Sequence, residues 1–135
     1  MLSALKAERS YDTIIEVTEE TTLAAAARLA KEEEEICCLN FASAKHPGGG
    51  FLTGARAQEE SLARASGLYP TIVQMKEMYS HNAWQRICLY SDYIIYSPKV
   101  PVFRDDSGVL LDKAYPVSII TSPAVNAGVV SATSQ

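Results

Sequence analysis

The sequence predicts an α/β fold in one domain of 135 residues. Short runs of β-branched and apolar residues alternate with segments whose apolar residues have helical spacing, a pattern typical of a sheet flanked by helices. One apolar run leads into a loop segment, residues 42–50, that ends in three consecutive glycines, Gly48 to Gly50, and open α/β sheets bind ligands at the ends of their strands. No linker or repeat divides residues 1–135, so a single domain is expected.

Composition and charge exclude several classes of protein. Apolar residues make up 47% of the chain and charged residues 21%, as in ordinary globular proteins. The net charge is −4 with no Lys/Arg cluster, so duplex nucleic acid is not an expected partner. An acidic chain must bind an anion through backbone N–H groups and helix N-termini. Met1–Lys6 is no secretion signal and no run reaches the roughly 20 apolar residues of a membrane span, so we expect a cytoplasmic protein without a membrane partner.

The cysteines Cys37, Cys38 and Cys88 form no recognisable framework. Their number is odd and two of them are adjacent, which fits neither a disulfide pattern nor the spacing of metal ligands. We therefore expect them to be reduced and buried, as in a cytoplasmic protein.

The first elements are a strand and a helix. Residues Thr13–Val17 are rich in β-branched residues and predict a short strand. Thr21 or Thr22 can cap a following helix. The acidic run Glu32–Glu35 opposes the dipole at the end of that helix, so its last turn should fray. The apolar stripe of the helix consists of Leu23, Ala26, Ala27 and Ala30.

The next elements are a strand and two helices. Ile36–Phe41 is a continuous apolar run, which predicts a strand covered on both faces at the centre of the sheet. Gly54–Ser66 favours helix with Leu62 as its apolar anchor, and Gly67 can end it. Pro70 can open a helix over Thr71–Ser80. Its apolar face would be Ile72, Met75 and Tyr79.

The last third predicts strands. Ile87–Tyr96 is rich in Tyr and Ile, and Val100–Arg104 follows it. Asp105–Gly108 is a turn signal, and Val109–Leu111 would be the return arm of a hairpin. Val117–Thr121 predicts a further buried strand.

The segment Asn40–Tyr69 is the candidate site. Glycines can adopt positive φ angles and approach a ligand closely, so the N–H groups of Gly48 to Gly50 can converge on a diphosphate, helped by the N-terminus of the following helix. Gln58, Glu59 and Glu60 follow after seven residues. Adjacent helical residues point about 100° apart, so one carboxylate should face the pocket and the other should flank it.

Two carboxylates at this position suit glycoside hydrolysis. The reaction needs a carboxylic acid near the leaving oxygen and a base that activates water. A Glu beside a diphosphate favours its neutral form, which suits a general acid. Taken separately, however, the glycines are more often a flexible turn, and the glutamates more often an exposed acidic helix face.

Together, the glycines, the seven-residue spacer and Gln58–Glu60 resemble the signature of poly(ADP-ribose) glycohydrolases. The resemblance runs from about Val17 to Gly128. Four further segments are similar to the microbial branch of that family: Leu39–Ala44, Ser61–Tyr69, Ser97–Asp105 and Thr121–Gly128.

This resemblance implies a macrodomain, a mixed sheet between helices, with ADP-ribose in a cleft at the strand ends. It implies that Gly48–Gly50 wrap the diphosphate. Glu60 would protonate the leaving ribose oxygen and then help to activate water, and Glu59 would bind ribose hydroxyls. Gln58 and Asn40 would orient the site. The other implied ligand-binding positions are Ala42, Ser43 and Pro47. Neither a metal nor a cofactor is implied.

The resemblance also implies an activity, and two alternatives to it stay open. The expected reaction is hydrolysis of ribose–ribose O-glycosidic bonds in poly(ADP-ribose), releasing ADP-ribose from the chain end, with ADP-ribosylated proteins as further partners of a monomer. One alternative is an ADP-ribose-binding module with little turnover, and another is a domain whose glycines only form a turn. Because the family continues with a second phosphate loop and an adenine-stacking aromatic, we expect residues 1–135 to be a partial catalytic domain. We expect His46 to have no essential role, and Trp84 and the tyrosines to pack in the core or cleft. Among the tyrosines, Tyr69 is the best candidate for a position near the pocket.

Overall fold

The computed structural model describes residues 12–85 and 91–124. The described chain combines four α-helices with a mixed sheet of three strands, which confirms the predicted α/β class. In chain order the elements are α1 (Thr22–Leu29), β1 (Cys37–Ala42), a 3₁₀ turn (Phe51–Thr53), α2 (Gln58–Ala65), α3 (Leu68–Ile72), α4 (Lys76–Trp84), β2 (Ile95–Arg104) and β3 (Leu110–Pro123).

The three strands form one mixed sheet with the order β1-β3-β2. β1 lies parallel to β3, and β2 is antiparallel to it. The central strand is β3, whose Val117, Ile119 and Thr121 are buried as predicted. Because β1 and β3 are parallel, Ala42 and Pro123 end at the same edge of the sheet. The loop that follows β1 therefore begins at the carboxyl end of two strands.

The prediction for β1 is wrong in one respect. The strand lies at the edge of the described sheet, and its residues alternate between exposed and buried instead of being covered on both faces. Leu39 is 46% exposed and Phe41 is 59% exposed, whereas Asn40 and Ala42 are buried. Among the described residues, only the face of β1 that carries Asn40 and Ala42 is covered. An apolar run in the sequence cannot distinguish a strand covered on one face from a strand covered on both.

The start of the described chain corrects another expectation. Thr13–Val17 forms no strand. Ile14, Ile15 and Val17 are 82%, 86% and 96% exposed, so no part of the chain that the structure describes covers them and stabilises an extended segment. The helix that follows agrees with its prediction, since Thr21 caps α1 by accepting a 3.0 Å hydrogen bond from the N–H of Ala24. α1 ends at Leu29, before the acidic run.

The helices after the glycines are shorter than predicted. The segment expected to form a helix from Gly54 instead holds a 3₁₀ turn that ends at Gly54, whose φ of +88° is left-handed, and α2 begins at Gln58. The helix expected over Thr71–Ser80 is divided into α3 and α4. Ile72 and Tyr79 are buried as predicted, but Met75 lies at the break and is 48% exposed.

The hairpin agrees with its prediction. Asp105 Oδ1 accepts hydrogen bonds from the N–H groups of Ser107 and Val109, at 2.9 and 3.0 Å, and so closes the turn. The two predicted segments before it differ from the structure, because β2 begins only at Ile95 and runs without a break in the strand to Arg104. Residues 86–90, where the predicted strand began, and residues 125–135 lie outside the described part.

Two expectations about burial are wrong. Trp84 is 88% exposed at the end of α4 and packs in neither the core nor a cleft. Cys37 is exposed and Cys38 is partly buried, since they lie on the edge strand β1, and Cys88 lies outside the described residues. Within the part of the chain that the structure describes, no helix has the length and hydropathy to cross a membrane.

Candidate active site

Gln58, the first residue of α2, fixes this helix to the edge of the sheet. Its side-chain Oε1 accepts a 2.9 Å hydrogen bond from the N–H of Phe41, and its Nε2 donates to the carbonyl of Leu39 at 2.7 Å. Nε2 also donates to Thr22 Oγ1 at 3.2 Å. The amide therefore pairs with β1 much as a neighbouring strand would, and it places the next two residues beside the loop that follows β1.

Glu59 is buried and holds the start of that loop. Its Oε2 accepts a 2.7 Å hydrogen bond from the N–H of Ser43, and its Oε1 accepts one of 3.1 Å from the N–H of Gly48. Only 3% of the residue is exposed. A single carboxylate thus connects α2 to two points of the loop. These hydrogen bonds also offset the cost of burying the carboxylate, which is stable in the interior only when its oxygens are hydrogen-bonded.

Glu60 holds the end of the same loop. Its Oε1 accepts a 3.0 Å hydrogen bond from the N–H of Gly50, and its Oε2 accepts one of 3.1 Å from the N–H of Ala57. It is 8% exposed. The two adjacent glutamates point to different stretches of one loop, as the helical angle between them predicts, but both are buried, so neither is an exposed flanking residue.

The glycines are required by close approach to these carboxylates. Gly48 and Gly49 have φ angles of +73° and +58°, as the sequence predicts, whereas the φ of Gly50 is negative. A Cβ on Gly49 would lie 2.3 Å from Glu60 Oε1 and 3.2 Å from Glu59 Oε2. Any larger residue at this position would displace the glutamates, so the glycine loop is more than a flexible turn.

The N–H groups of the three glycines all donate within the protein. Gly48 donates to Glu59, Gly50 donates to Glu60, and Gly49 donates to the carbonyl of His46 at 2.9 Å. The sequence predicts that these groups converge on a diphosphate. In this structure the loop is instead organised around two carboxylates, and its contact with a diphosphate stays a prediction.

The pKa values of the two glutamates are shifted in opposite directions. Burial raises the pKa of Glu59, assisted by the charge of Glu60 and opposed by hydrogen bonds from Ser43, Asn40 and Gly48. For Glu60, burial also acts to raise the pKa, but backbone hydrogen bonds from Gly50, Glu60 itself and Ala57, together with the charge of Arg64, outweigh it, so the pKa is lowered. In the protein alone, Glu59 is the residue that more readily holds a proton.

The remaining predicted positions lie in or beside the same loop. Asn40 is fully buried and donates from Nδ2 to Thr121 Oγ1 at 3.2 Å, while its Oδ1 has no partner among the described residues. Ser43 Oγ accepts a 3.2 Å hydrogen bond from the N–H of His46 and so shapes the turn. Ala42 is buried and Pro47 is partly buried. The loop thus contains, or directly adjoins, all the positions named from the sequence.

Phe51 and Thr121 lie beside the candidate site but were not predicted from the sequence as site residues. The Phe51 ring packs against that of Tyr69, with 4.7 Å between centroids, and a Cβ on Gly48 would meet both rings, at 2.8 and 3.1 Å. Tyr69, the best candidate among the tyrosines for a position near the pocket, therefore lies next to the loop. The signal for Phe51 was its position directly after the glycines, and that for Thr121 was its place on a buried strand that ends at the same edge as β1.

Comparison with known proteins assigns this arrangement to a family. A family model described as microbial-type PARG, catalytic domain, where PARG is poly(ADP-ribose) glycohydrolase, matches residues 2–105. The chain belongs to this family. No curated protein matches the chain.

Solved structures of PARG proteins share the fold. PARG from Thermomonospora curvata is 57% identical, with a TM-score of 0.87 over 90% of this chain and 44% of that chain. The same protein bound to the inhibitor ADP-HPD is 59% identical, with a TM-score of 0.83 over 85% of this chain and 44% of that chain. PARG from Deinococcus radiodurans in complex with ADP-ribose is 55% identical, with a TM-score of 0.83 over 87% of this chain and 48% of that chain.

These matches confirm the predicted fold, a macrodomain-like mixed sheet with helices. The chain spans about half the length of the PARG structures it matches. Within residues 12–85 and 91–124, no three His, Cys, Asp or Glu side chains are grouped as a metal site would require.

Proposed function

We propose that this chain hydrolyses the ribose–ribose O-glycosidic bonds of poly(ADP-ribose) and releases ADP-ribose. The observation that carries the proposal is the pair of buried, adjacent carboxylates of Glu59 and Glu60, held against a glycine loop at the carboxyl end of β1. Glycoside hydrolysis requires carboxyl groups at fixed positions beside the scissile bond. Membership of the PARG family and the ADP-ribose complex of the Deinococcus radiodurans relative support the same substrate class.

In the proposed mechanism Glu60 is the acid and base. It is the more exposed of the two glutamates, at 8% against 3%. A protonated Glu60 would donate to the leaving ribose oxygen as the C–O bond breaks and an oxocarbenium-like sugar develops. The resulting carboxylate would then accept a proton from the attacking water, which returns Glu60 to its protonated form.

The lowered pKa of Glu60 in the protein alone means that the ligand must supply part of this chemistry. A diphosphate bound at the glycine loop would place negative charge near the carboxylate and raise its pKa. Glu59, with its deeper burial, would bind ribose hydroxyls and orient the sugar. Substrate binding and protonation of the acid are therefore coupled.

The test is hydrolysis of poly(ADP-ribose) by this chain and by its Glu60→Gln variant. We expect the variant to be slower by about 10²- to 10⁴-fold, the usual contribution of a general acid or base. Glu33→Gln is the matched control, since Glu33 is exposed and outside the loop. Equal rates for Glu60→Gln and the parent chain would remove the catalytic assignment.

A second candidate, an ADP-ribose-binding module with little turnover, is favoured by one observation. The lowered pKa of Glu60 keeps this residue ionised, which opposes general-acid catalysis. The two functions give different results in one experiment, in which calorimetry measures ADP-ribose binding and chromatography measures product. Binding without product supports the module, and absence of binding at millimolar ligand removes both.

A further inference from the structure

A second feature, outside the glutamate loop, is a cleft of about 450 Å³ between α2 and the β2–β3 turn. Three arginines line it: Arg56 just before α2, Arg64 on α2, and Arg104 at the end of β2. The chain has a net charge of −4 and only 12 basic Lys and Arg residues. A concentration of three guanidinium groups in one cleft therefore runs against the overall charge.

The arginines are available to a ligand. Arg56 and Arg104 are exposed. Arg64 donates from Nη1 to the carbonyl of Ala55 at 2.8 Å, which leaves its other donors and its charge facing the cleft. The ion pair found among the described residues joins Arg28 to Glu20, which lie on another part of the surface, and it involves none of the three cleft arginines.

Two aspartates also line the cleft, and one carboxylate oxygen of each is hydrogen-bonded within the protein. Asp105 Oδ1 accepts hydrogen bonds from Ser107 and from the N–H of Val109, which closes the hairpin turn. Asp106 Oδ2 accepts one from Thr21 Oγ1, which connects the turn to the start of α1. The aspartates therefore shape one wall, and their two charges set against the three guanidinium groups leave the cleft with a formal excess of one positive charge.

The part of the cleft formed by Arg56 and Arg64 lies near the proposed catalytic carboxylate. Arg56 directly precedes Ala57, whose N–H donates to Glu60 Oε2 at 3.1 Å. The positive charge of Arg64 also acts on Glu60. A linear polymer cleaved at Glu60 continues past this residue on its leaving side, and each unit of poly(ADP-ribose) carries a diphosphate.

We propose that this arginine cleft, formed by Arg56, Arg64 and Arg104, binds the diphosphate of the polymer unit on the leaving side of the scissile bond. The proposal rests on the proposed function. Guanidinium groups suit it because they form paired hydrogen bonds with phosphate oxygens. The cleft would thus favour polymer over free ADP-ribose, since only a substrate of two or more units reaches both sites.

The test compares two ligands in a chain that does not turn over. In a Glu60→Gln background, Arg56→Gln and Arg104→Gln are titrated with ADP-ribose and with a defined oligomer of ADP-ribose. We expect each variant to weaken oligomer binding about tenfold, the effect of losing one charge-assisted contact, and to leave ADP-ribose binding unchanged. The slope of log affinity against log salt should fall by roughly 0.7 to 1 for the oligomer.

Arg28→Gln is the control, because it removes the same charge outside the cleft. It should leave both affinities unchanged. Arg104→Lys keeps the charge and should recover part of the oligomer affinity. Unchanged oligomer affinity in both cleft variants, or an equal loss for both ligands, would overturn the proposal. Unchanged ADP-ribose binding also verifies that each variant is folded.

A final arm separates this proposal from the proposed function. Should the parent chain bind no ADP-ribose, the function fails, and the cleft is then tested with tripolyphosphate alone. Weaker binding of tripolyphosphate to Arg104→Gln than to Arg28→Gln would support an anion site in the cleft. Equal binding to these two variants would refute the cleft whatever the outcome for hydrolysis.

Discussion

At the scale of single residues, Glu59 and Glu60 are adjacent in sequence yet differ in electrostatics. Both are buried and each accepts two backbone hydrogen bonds. The balance differs because Glu59 is the more deeply desolvated, whereas Glu60 also lies near the charge of Arg64. One loop therefore holds one carboxylate that favours a proton and one that favours a charge.

The first prediction is the order in which these two groups titrate. Because the pKa of Glu59 is raised above 4.5 and that of Glu60 is lowered below it, a carboxyl ¹³C NMR titration should give Glu60 the lower midpoint. The consequences for stability have opposite signs. The contribution of Glu59 is complete below pH 4.5 and is lost as pH rises through its raised pKa. That of Glu60 is present above pH 4.5 and is lost as pH falls through its lowered pKa.

The assignment can be checked by replacement. In Glu60→Gln the lower midpoint should disappear, and the midpoint of Glu59 should move down because its charged neighbour is gone. A Glu59 midpoint below that of Glu60 in the parent chain would show that hydrogen bonding outweighs burial at this position.

The second prediction concerns Gly49 and uses Gly54 as its control. Both have positive φ angles, +58° and +88°, so alanine at either position costs about 1–2 kcal/mol of backbone strain. At Gly49 the new Cβ would also meet Glu60 Oε1 at 2.3 Å, whereas at Gly54 nothing lies within 4 Å. We expect Gly49→Ala to lose roughly 1–3 kcal/mol more in chemical denaturation, and to lose ADP-ribose binding, which Gly54→Ala should retain.

The site could be predicted from the sequence in position but not in bonding. The spacing of the glycines and of Glu59 and Glu60 indicated that they converge, and the structure brings them together. The sequence did not indicate that the glycine N–H groups bond to the glutamates, because a donor's partner is decided by the folded loop. Gln58 illustrates the same limit, since its role as a pairing group for β1 depends on where the edge of the sheet lies.

At the scale of elements, the sheet has one packed face and one open face. Ile119 is fully buried beneath the helices, whereas Leu39 on the edge strand is 46% exposed. We predict that Ile119→Ala lowers the free energy of unfolding by about 2–5 kcal/mol, and that Leu39→Ala lowers it by about 1 kcal/mol or less. Urea denaturation monitored by circular dichroism measures both, and similar losses would mean that the open face is also packed.

The errors in predicting the elements have a common physical origin. Thr13–Val17 has strand propensity, but without a partner in the described chain it remains exposed and irregular. The apolar positions of Thr71–Ser80 fit one helix, yet the chain breaks between Ile72 and Lys76, and the residues on either side of the break pack into one core while Met75 at the break is exposed. The sequence predicted an element correctly where a local hydrogen bond begins or completes it, as at the cap of α1 by Thr21 and the hairpin turn at Asp105.

At the scale of the whole molecule, binding of an anionic ligand to this acidic chain should be coupled to protons. The net charge is −4, and the ligand's diphosphate would add negative charge beside Glu60, whose pKa is lowered in the protein alone. When a bound ligand raises this pKa, the carboxylate of Glu60 takes up protons on binding, because linkage is reciprocal. The coupling follows from the mechanism proposed for Glu60, and it is measurable without turnover.

The last prediction is therefore that ADP-ribose binds more tightly as pH falls. Between the raised pKa of Glu60 in the complex and its lowered pKa in the free chain, the complex holds more protons than the free protein, so affinity rises as pH falls through that window. Calorimetry in buffers with different ionisation enthalpies should show net proton uptake for the parent chain and less for Glu60→Gln. Glu33→Gln should behave like the parent, since Glu33 is exposed and outside the loop. Equal proton uptake by Glu60→Gln and the parent would assign the coupling to another group. It would mean that the bound diphosphate does not raise the pKa of Glu60.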